Sequence, residues 1–146
     1  MMADFLYKSY DFSGDAFQVF RLFKEEPFVF FLDSSLKPNT LGRFSFIGFD
    51  PFDVFRDKGN DSFEALKRYS AKYFTLCKDR MKNIPVPFCS GMVGYFGYDL
   101  GFQLEKIKLQ GKDDLLIPDC FFGFYDCVIA IDHGTGRLYV ISTGLP

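Results

Sequence analysis

Arg43-Phe44-Ser45-Phe46-Ile47-Gly48-Phe49-Asp50-Pro51-Phe52 reads as a strand running into a turn. Phe44, Phe46 and Gly48 alternate with Ser45, Ile47 and Phe49, the two-residue period of a pleated strand, and Asp50 stands where a carboxylate commonly accepts backbone amides. Upstream, Pro27 opens Phe28-Val29-Phe30-Phe31-Leu32, apolar at every position, which predicts a central strand buried on both faces. Ser35 to Gly42 holds Pro38, Asn39 and Gly42 and reads as a loop. Before these, an extended segment around Phe5 to Tyr10 leads to Ser13, placed to cap a short helix with Phe17, Phe20 and Phe23 as its apolar stripe.

Downstream, Phe52 to Arg56 has strand character and Asp57-Lys58-Gly59-Asn60 forms a turn. Asp61 and Glu64 have the spacing of a capping box, opening a helix with Phe63, Leu66, Tyr69 and Tyr73 at helical intervals. Lys78 to Pro87 reads as a solvated connection. Phe88 to Tyr98 returns to strand, and its glycines at 91, 94 and 97 predict a bulge where another group approaches closely. One irregular helix is expected from Asp99 to about Lys108. Phe121 to Asp132 is the longest strand candidate, and His133-Gly134-Thr135-Gly136 turns it into Arg137 to Thr143, a hairpin. Hairpins dominate this order of elements, so the expected fold is α+β, a mostly antiparallel sheet with flanking helices, in one domain over residues 1–146.

Composition narrows the function. A compact domain of 146 residues buries roughly 70% of its unfolded surface, yet 48% hydrophobic residues and 21 Phe exceed what one small shell hides. Some aromatic surface therefore expects a partner, another copy or a further segment. Seventeen basic and 19 acidic residues give a formal charge of -2 without clustering, which argues against nucleic acid and anionic membranes as partners. No apolar run has spanning length and no secretory pattern opens the chain, so a cytoplasmic protein is expected. Cys77, Cys89, Cys120 and Cys127 match neither a redox pair nor a zinc knuckle and read as buried reduced thiols.

Motifs for chemistry are sparse. Gly91, Gly94 and Gly97 lack the Lys-Ser or Lys-Thr and the fresh helix start of a phosphate loop. His133, the single histidine, reads as a solvent-exposed turn residue, because no serine or cysteine stands in a nucleophile context. Asp33, Asp50, Asp99, Asp119 and Asp126 stand at strand ends or turns, where structural duty is the ordinary role. Leu32-Asp33-Ser34 with Leu41-Gly42-Arg43-Phe44 could converge around a small zwitterion, the acid taking an ammonium and serine or backbone amides a carboxylate.

Four ordered motifs carry a family resemblance: Phe30 to Ser35, Arg43 to Phe52, Ser90 to Gly101 and Ile117 to Asp126. Together they resemble the amino-terminal region of the chorismate-utilising synthases, component I of aminodeoxychorismate (para-aminobenzoate) synthase and, less closely, of anthranilate synthase. Ile117-Pro118-Asp119, Phe124-Tyr125-Asp126 and the closing Ser142-Thr143-Gly144-Leu145-Pro146 tilt toward the aminodeoxychorismate branch. The resemblance implies the amino-terminal half of a four-layer fold with two packed sheets. It implies that chorismate, Mg2+ and the catalytic groups belong to a carboxy-terminal half, so that this piece is inert by itself. It further implies partnership with that half and with a glutamine amidotransferase, and amination of chorismate for folate synthesis. A partial tryptophan pocket falls, by the same resemblance, on Leu32, Ser34, Leu41, Gly42, Arg43 and Phe44. Two other readings are an anthranilate synthase domain with a tryptophan feedback site and a stand-alone small-molecule-binding or assembly module. A homodimer of the chain is expected if its strand edges stay uncovered.

Overall fold

The computed structural model describes residues 6–34, 42–59, 61–77, 84–105 and 116–145. Strand β1 (Leu6–Asp11) leads to helix α1 (Ala16–Leu22), then β2 (Phe30–Leu32), β3 (Phe44–Gly48) and β4 (Asp53–Asp57). Helix α2 (Ser62–Cys77), β5 (Gly91–Phe96), a 3-10 turn at Tyr98–Leu100, α3 (Gly101–Leu104), β6 (Cys120–Tyr125), β7 (Cys127–Asp132) and β8 (Arg137–Ser142) follow. The fold is α+β, and every strand pairing is antiparallel. One sheet runs β1-β8-β7-β3-β2 and a second runs β4-β6-β5.

The division into two sheets corrects the expectation of one long strand over residues 121–132. The chain breaks at Asp126, β6 joining the second sheet and β7 the first. Asp126 Oδ1 accepts from Thr143 N at 2.9 Å, Thr143 Oγ1 at 2.6 Å and Leu145 N at 3.1 Å, while Oδ2 accepts from Ser142 Oγ at 2.9 Å. A carboxylate saturated by backbone and hydroxyl donors holds the corner between the sheets, and it ties the Phe-Tyr-Asp motif to the closing Ser-Thr-Gly-Leu motif.

The apolar run at residues 28–32 is likewise not a central strand. Phe28 takes a φ of 50°, costly for a bulky residue, so regular pairing starts at Phe30 and β2 is a short edge with Leu32 47% exposed. The central strand is β7, and β3, whose Ser45 and Ile47 are fully buried, is the interior strand between it and β2.

Register sorts the side chains. Ser45, Ile47 and Phe31 share one face of the five-stranded sheet, where α1 lies with Phe20 stacked on Phe31 at 5.1 Å between ring centroids. Phe44, Phe46 and Ala130 face the other way, into a core with Ile84, Val86, Cys89 and Ile141. Val86 is buried, so the end of the expected solvated connection is core. Asp15, not Ser13, caps α1, accepting from Phe17 N at 2.9 Å.

The second sheet packs Phe55, Phe122 and Phe124 against Leu66, Tyr69 and Tyr73 of α2. No capping box forms: the Asp61 carboxylate stands 3.7 Å from Arg68 and Glu64 3.5 Å from Lys67, while Ser62 Oγ bonds Asp57 at 2.5 Å. Asp53 of β4 accepts from Tyr69, Tyr73 and Lys72, pinning the helix to the sheet. Along β5 the register with β6 is uninterrupted, so no bulge occurs there. The close approach does: a Cβ at Gly94 would stand 1.9 Å from the Phe121 carbonyl oxygen. Tyr125 links the sheets, its hydroxyl donating to the Phe28 carbonyl at 2.7 Å and its ring meeting Phe30 edge-on at 4.8 Å.

Candidate functional site

Because β2, β3 and β7 are consecutive antiparallel neighbours, the end of β2, the start of β3 and the end of β7 meet at one rim of the sheet. The residues just outside those ends are Asp33 and Ser34, Gly42 and Arg43, and His133. With Gly14, Asp15 and Ala16 at the start of α1, Asp33, Ser34, Gly42 and His133 line a hollow of about 410 Å3.

Behind the hollow, buried Ser45 joins two of its walls. Ser45 Oγ lies 2.5 Å from Asp33 Oδ1 and 2.6 Å from His133 Nε2. A carboxylate only accepts, so the serine gives its one proton to Asp33 and takes the His133 Nε2–H. The order is the reverse of a nucleophilic triad, where imidazole stands between carboxylate and hydroxyl, and a fully buried Ser45 has no access to a substrate. The chain of bonds positions; it does not activate. His133 is thus not the solvent-exposed turn residue that its neighbourhood suggested: it is half-buried and bonded.

Arg43 is committed elsewhere. Its Nε donates to Asp132 Oδ1 at 2.8 Å and its Nη2 to Oδ2 at 2.7 Å, a bidentate pair, and Asp132 also accepts from Gly134 N at 3.0 Å and Thr135 N at 3.3 Å. The Arg43 hydrogen bond, opposed by burial and helped by Thr135 and the Gly134 amide, holds the Asp132 carboxyl at about 2. The guanidinium therefore braces the β7–β8 turn that carries His133.

Of the residues singled out from sequence, Ser34 and Gly42 line the hollow. Leu32 and Phe44 lie on the opposite sheet face by register, Leu32 half-exposed and Phe44 against the Val86 core. Leu41 lies outside the described residues. Sequence reasoning missed Gly14, Asp15 and Ala16 and the Ser45–His133 bond. The available signal was Ser45 itself, a polar residue inside an otherwise apolar strand.

Among the described residues no group of three or more His, Cys, Asp or Glu is arranged to hold a metal. No described helix is long and apolar enough to cross a membrane. Cys89 and Cys120 are buried, whereas Cys127 is exposed.

Residues 27–145 match the model of the chorismate binding enzyme family, and this span contains β2 through β8. The chain belongs to the chorismate binding enzyme family. Anthranilate synthase component 1 of Acetivibrio thermocellus is 30% identical over 135 residues, covering 84% of this chain and 27% of that protein. Aminodeoxychorismate synthase component 1 of Escherichia coli (strain K12) is 35% identical over 60 residues, 41% of this chain and 13% of that protein. Anthranilate synthase alpha subunit 2, chloroplastic, of Arabidopsis thaliana is 45% identical over 62 residues, 40% of this chain and 10% of that protein. The chain thus spans about a quarter of the length of the Acetivibrio relative. Within the chorismate-binding family, its described residues form a scaffold that carries a polar hollow.

Proposed function

We propose that the chain is the amino-terminal, non-catalytic domain of an aminodeoxychorismate synthase component I. The whole polypeptide aminates chorismate, with Mg2+ and the reacting groups in its carboxy-terminal half and ammonia from a glutamine amidotransferase, in cytoplasmic folate synthesis. The observation that carries this reading is the family match over 27–145 in a chain about a quarter of a relative's length. The choice of branch rests on the Ile117-Pro118-Asp119, Phe124-Tyr125-Asp126 and closing Ser142-Thr143-Gly144-Leu145-Pro146 motifs. Assay of the full-length product with chorismate, Mg2+ and ammonia tests it: 4-amino-4-deoxychorismate is expected, and release of anthranilate overturns the branch. Anthranilate synthase is the second reading, favoured by a relative that covers 84% of the chain.

In the same reading the hollow is one wall of an amino-acid effector pocket, with tryptophan as the ligand. Asp33 takes the ammonium group, and Ser34 and backbone amides take the carboxylate, since the Arg43 guanidinium is held by Asp132. The chain contains no Trp, so fluorescence titration with tryptophan has no indole background. Saturable binding that weakens in Ser34→Ala is expected, and no binding at millimolar tryptophan overturns the pocket.

A further inference from the structure

A sheet of this kind has two edges, and among the described residues the two sheets have four: β1 and β2 in one, β4 and β5 in the other. Exposed edges are ordinarily blunted by charge, proline or brevity, because their free amides and carbonyls template pairing with another chain. Three of the four edges are blunted. β1 (Leu-Tyr-Lys-Ser-Tyr-Asp) carries Lys8 and Asp11, β4 (Asp-Val-Phe-Arg-Asp) carries Asp53, Arg56 and Asp57, and β2 is only three residues long. β5, Gly91-Met-Val-Gly-Tyr-Phe96, has six residues, no charge and no proline.

The direction of its free groups follows from register. Gly97 N donates to Asp119 O at 2.7 Å, so Gly97 is a hydrogen-bonded position toward β6, and by alternation so are Tyr95, Val93 and Gly91. The amides and carbonyls of Met92, Gly94 and Phe96 therefore point away from β6. Among the described residues no strand lies along that edge, where Gly94 is exposed and Tyr95 and Phe96 are 40% and 48% exposed.

We propose that β5 pairs antiparallel with β5 of a second copy of the chain, joining three strands from each copy into one continuous sheet. The segment is complementary to itself. With the two-fold axis at Gly94, each outward group finds a partner: Gly94 faces Gly94, and Met92 faces Phe96 of the second copy. The side-chain pairs are favourable on both faces. Met92 meets the aromatic ring of Phe96 on one, Val93 meets Tyr95 on the other, and Gly94 leaves no bulk at the axis. No like charges oppose one another across this seam, whereas self-pairing of β4 about Phe55 would set Asp53 against Asp57. Under the functional reading above, the carboxy-terminal half is the competing occupant of this edge, and protection of the three outward amides in a full-length monomer overturns the self-pairing.

Sedimentation velocity on the purified 146-residue chain across a concentration series, paired with hydrogen exchange resolved to single amides, tests the seam. A monomer–dimer equilibrium is expected. The amides of Met92, Gly94 and Phe96 should exchange fast in dilute protein and slow as the dimer fills, while those of Val93 and Tyr95 stay protected throughout. Tyr95→Lys, which sets a charge against Val93 of the second copy, should weaken dimerisation about tenfold or more. A monomer at millimolar concentration overturns the proposal. So does a dimer in which the three outward amides remain fast, whether or not the lysine variant folds.

Discussion

At the scale of single residues, two aspartates are held well below the ordinary carboxylate range by their hydrogen bonds. Burial pushes the Asp53 carboxyl up, but hydrogen bonds from Tyr73, Tyr69 and Lys72 and from the Val54 amide outweigh it, and the group comes to rest at about 2. Asp132 reaches about 2 through Arg43. Both values lie below the ordinary 3.8, so the unfolded chain binds more protons than the folded one in the window between them. Their stabilisation is full above about pH 4 and is lost as pH falls through 3.8 toward 2. Urea midpoints measured from neutral pH downward are expected to drop through this window, and to drop less in Asp132→Asn. A wild-type midpoint that stays level there removes both assignments. At neutral pH, Asp132→Asn should cost about 1 to 2 kcal/mol, because the buried carboxylate loses its charge and one bond to the part-exposed Arg43 guanidinium. Ser45→Ala tests the other polar knot: it frees Asp33 and His133 from their common partner, with an expected loss of about 1 to 2 kcal/mol by the same urea series. His133 and Ser45 are 88 positions apart, and nothing local to either announces the other.

Elements were legible where their periods were clean. The alternation at residues 44–48 gave β3 with its two faces correctly sorted, and the helical spacing of Phe63, Leu66, Tyr69 and Tyr73 gave α2. Glycine was read half correctly at Gly94, where the neighbour that approaches is the β6 backbone and the strand stays regular. Gly94→Ala would drive a methyl into the Phe121 carbonyl and is expected to destabilise by about 3 kcal/mol or more. Gly101→Ala is the control. Nothing lies within 4 Å of its added methyl and its φ is -57°, so a gain of about 0.5 kcal/mol is expected. Thermal melts of the two variants, one lower and one slightly higher than wild type, separate backbone contact from glycine flexibility. Strand ends were the illegible part. In the run over residues 121–132 the one charged residue before the end, Asp126, marked a corner only ambiguously, since the donors that fix it come from residues 142–145.

For the whole molecule, the aromatic surplus read from composition has a definite distribution. Part of it welds the sheets together: Tyr125 meets Phe30, and Phe88 meets both Phe30 and Phe46. Burial pushes the Tyr125 hydroxyl up to about 12, and its bond to Phe28 O is the polar tie across this seam. Tyr125→Phe is expected to cost about 1 kcal/mol while leaving unfolding a single transition, checked by coincident far-UV and near-UV melts. Two separated melts would mean that the sheets are independent. Another part of the aromatic surface stays open, at Phe28, Tyr95, Phe96 and Tyr98, close to the edge that β5 presents.

The amino-acid order by itself determined the kinds of element, the antiparallel α+β class and the family, because two-residue and helical periods, turn residues and ordered motifs are properties of neighbours along the chain. Tertiary structure alone decided how the strands divide between the two sheets, that β2 is an edge, that Arg43 serves Asp132, and that His133 and Asp33 share Ser45. The physical reason is distance along the chain. These outcomes depend on hydrogen bonds and ring contacts between positions as far as 89 residues apart, and such bonds exist only once strand pairing has brought the ends of β2, β3 and β7 to one rim.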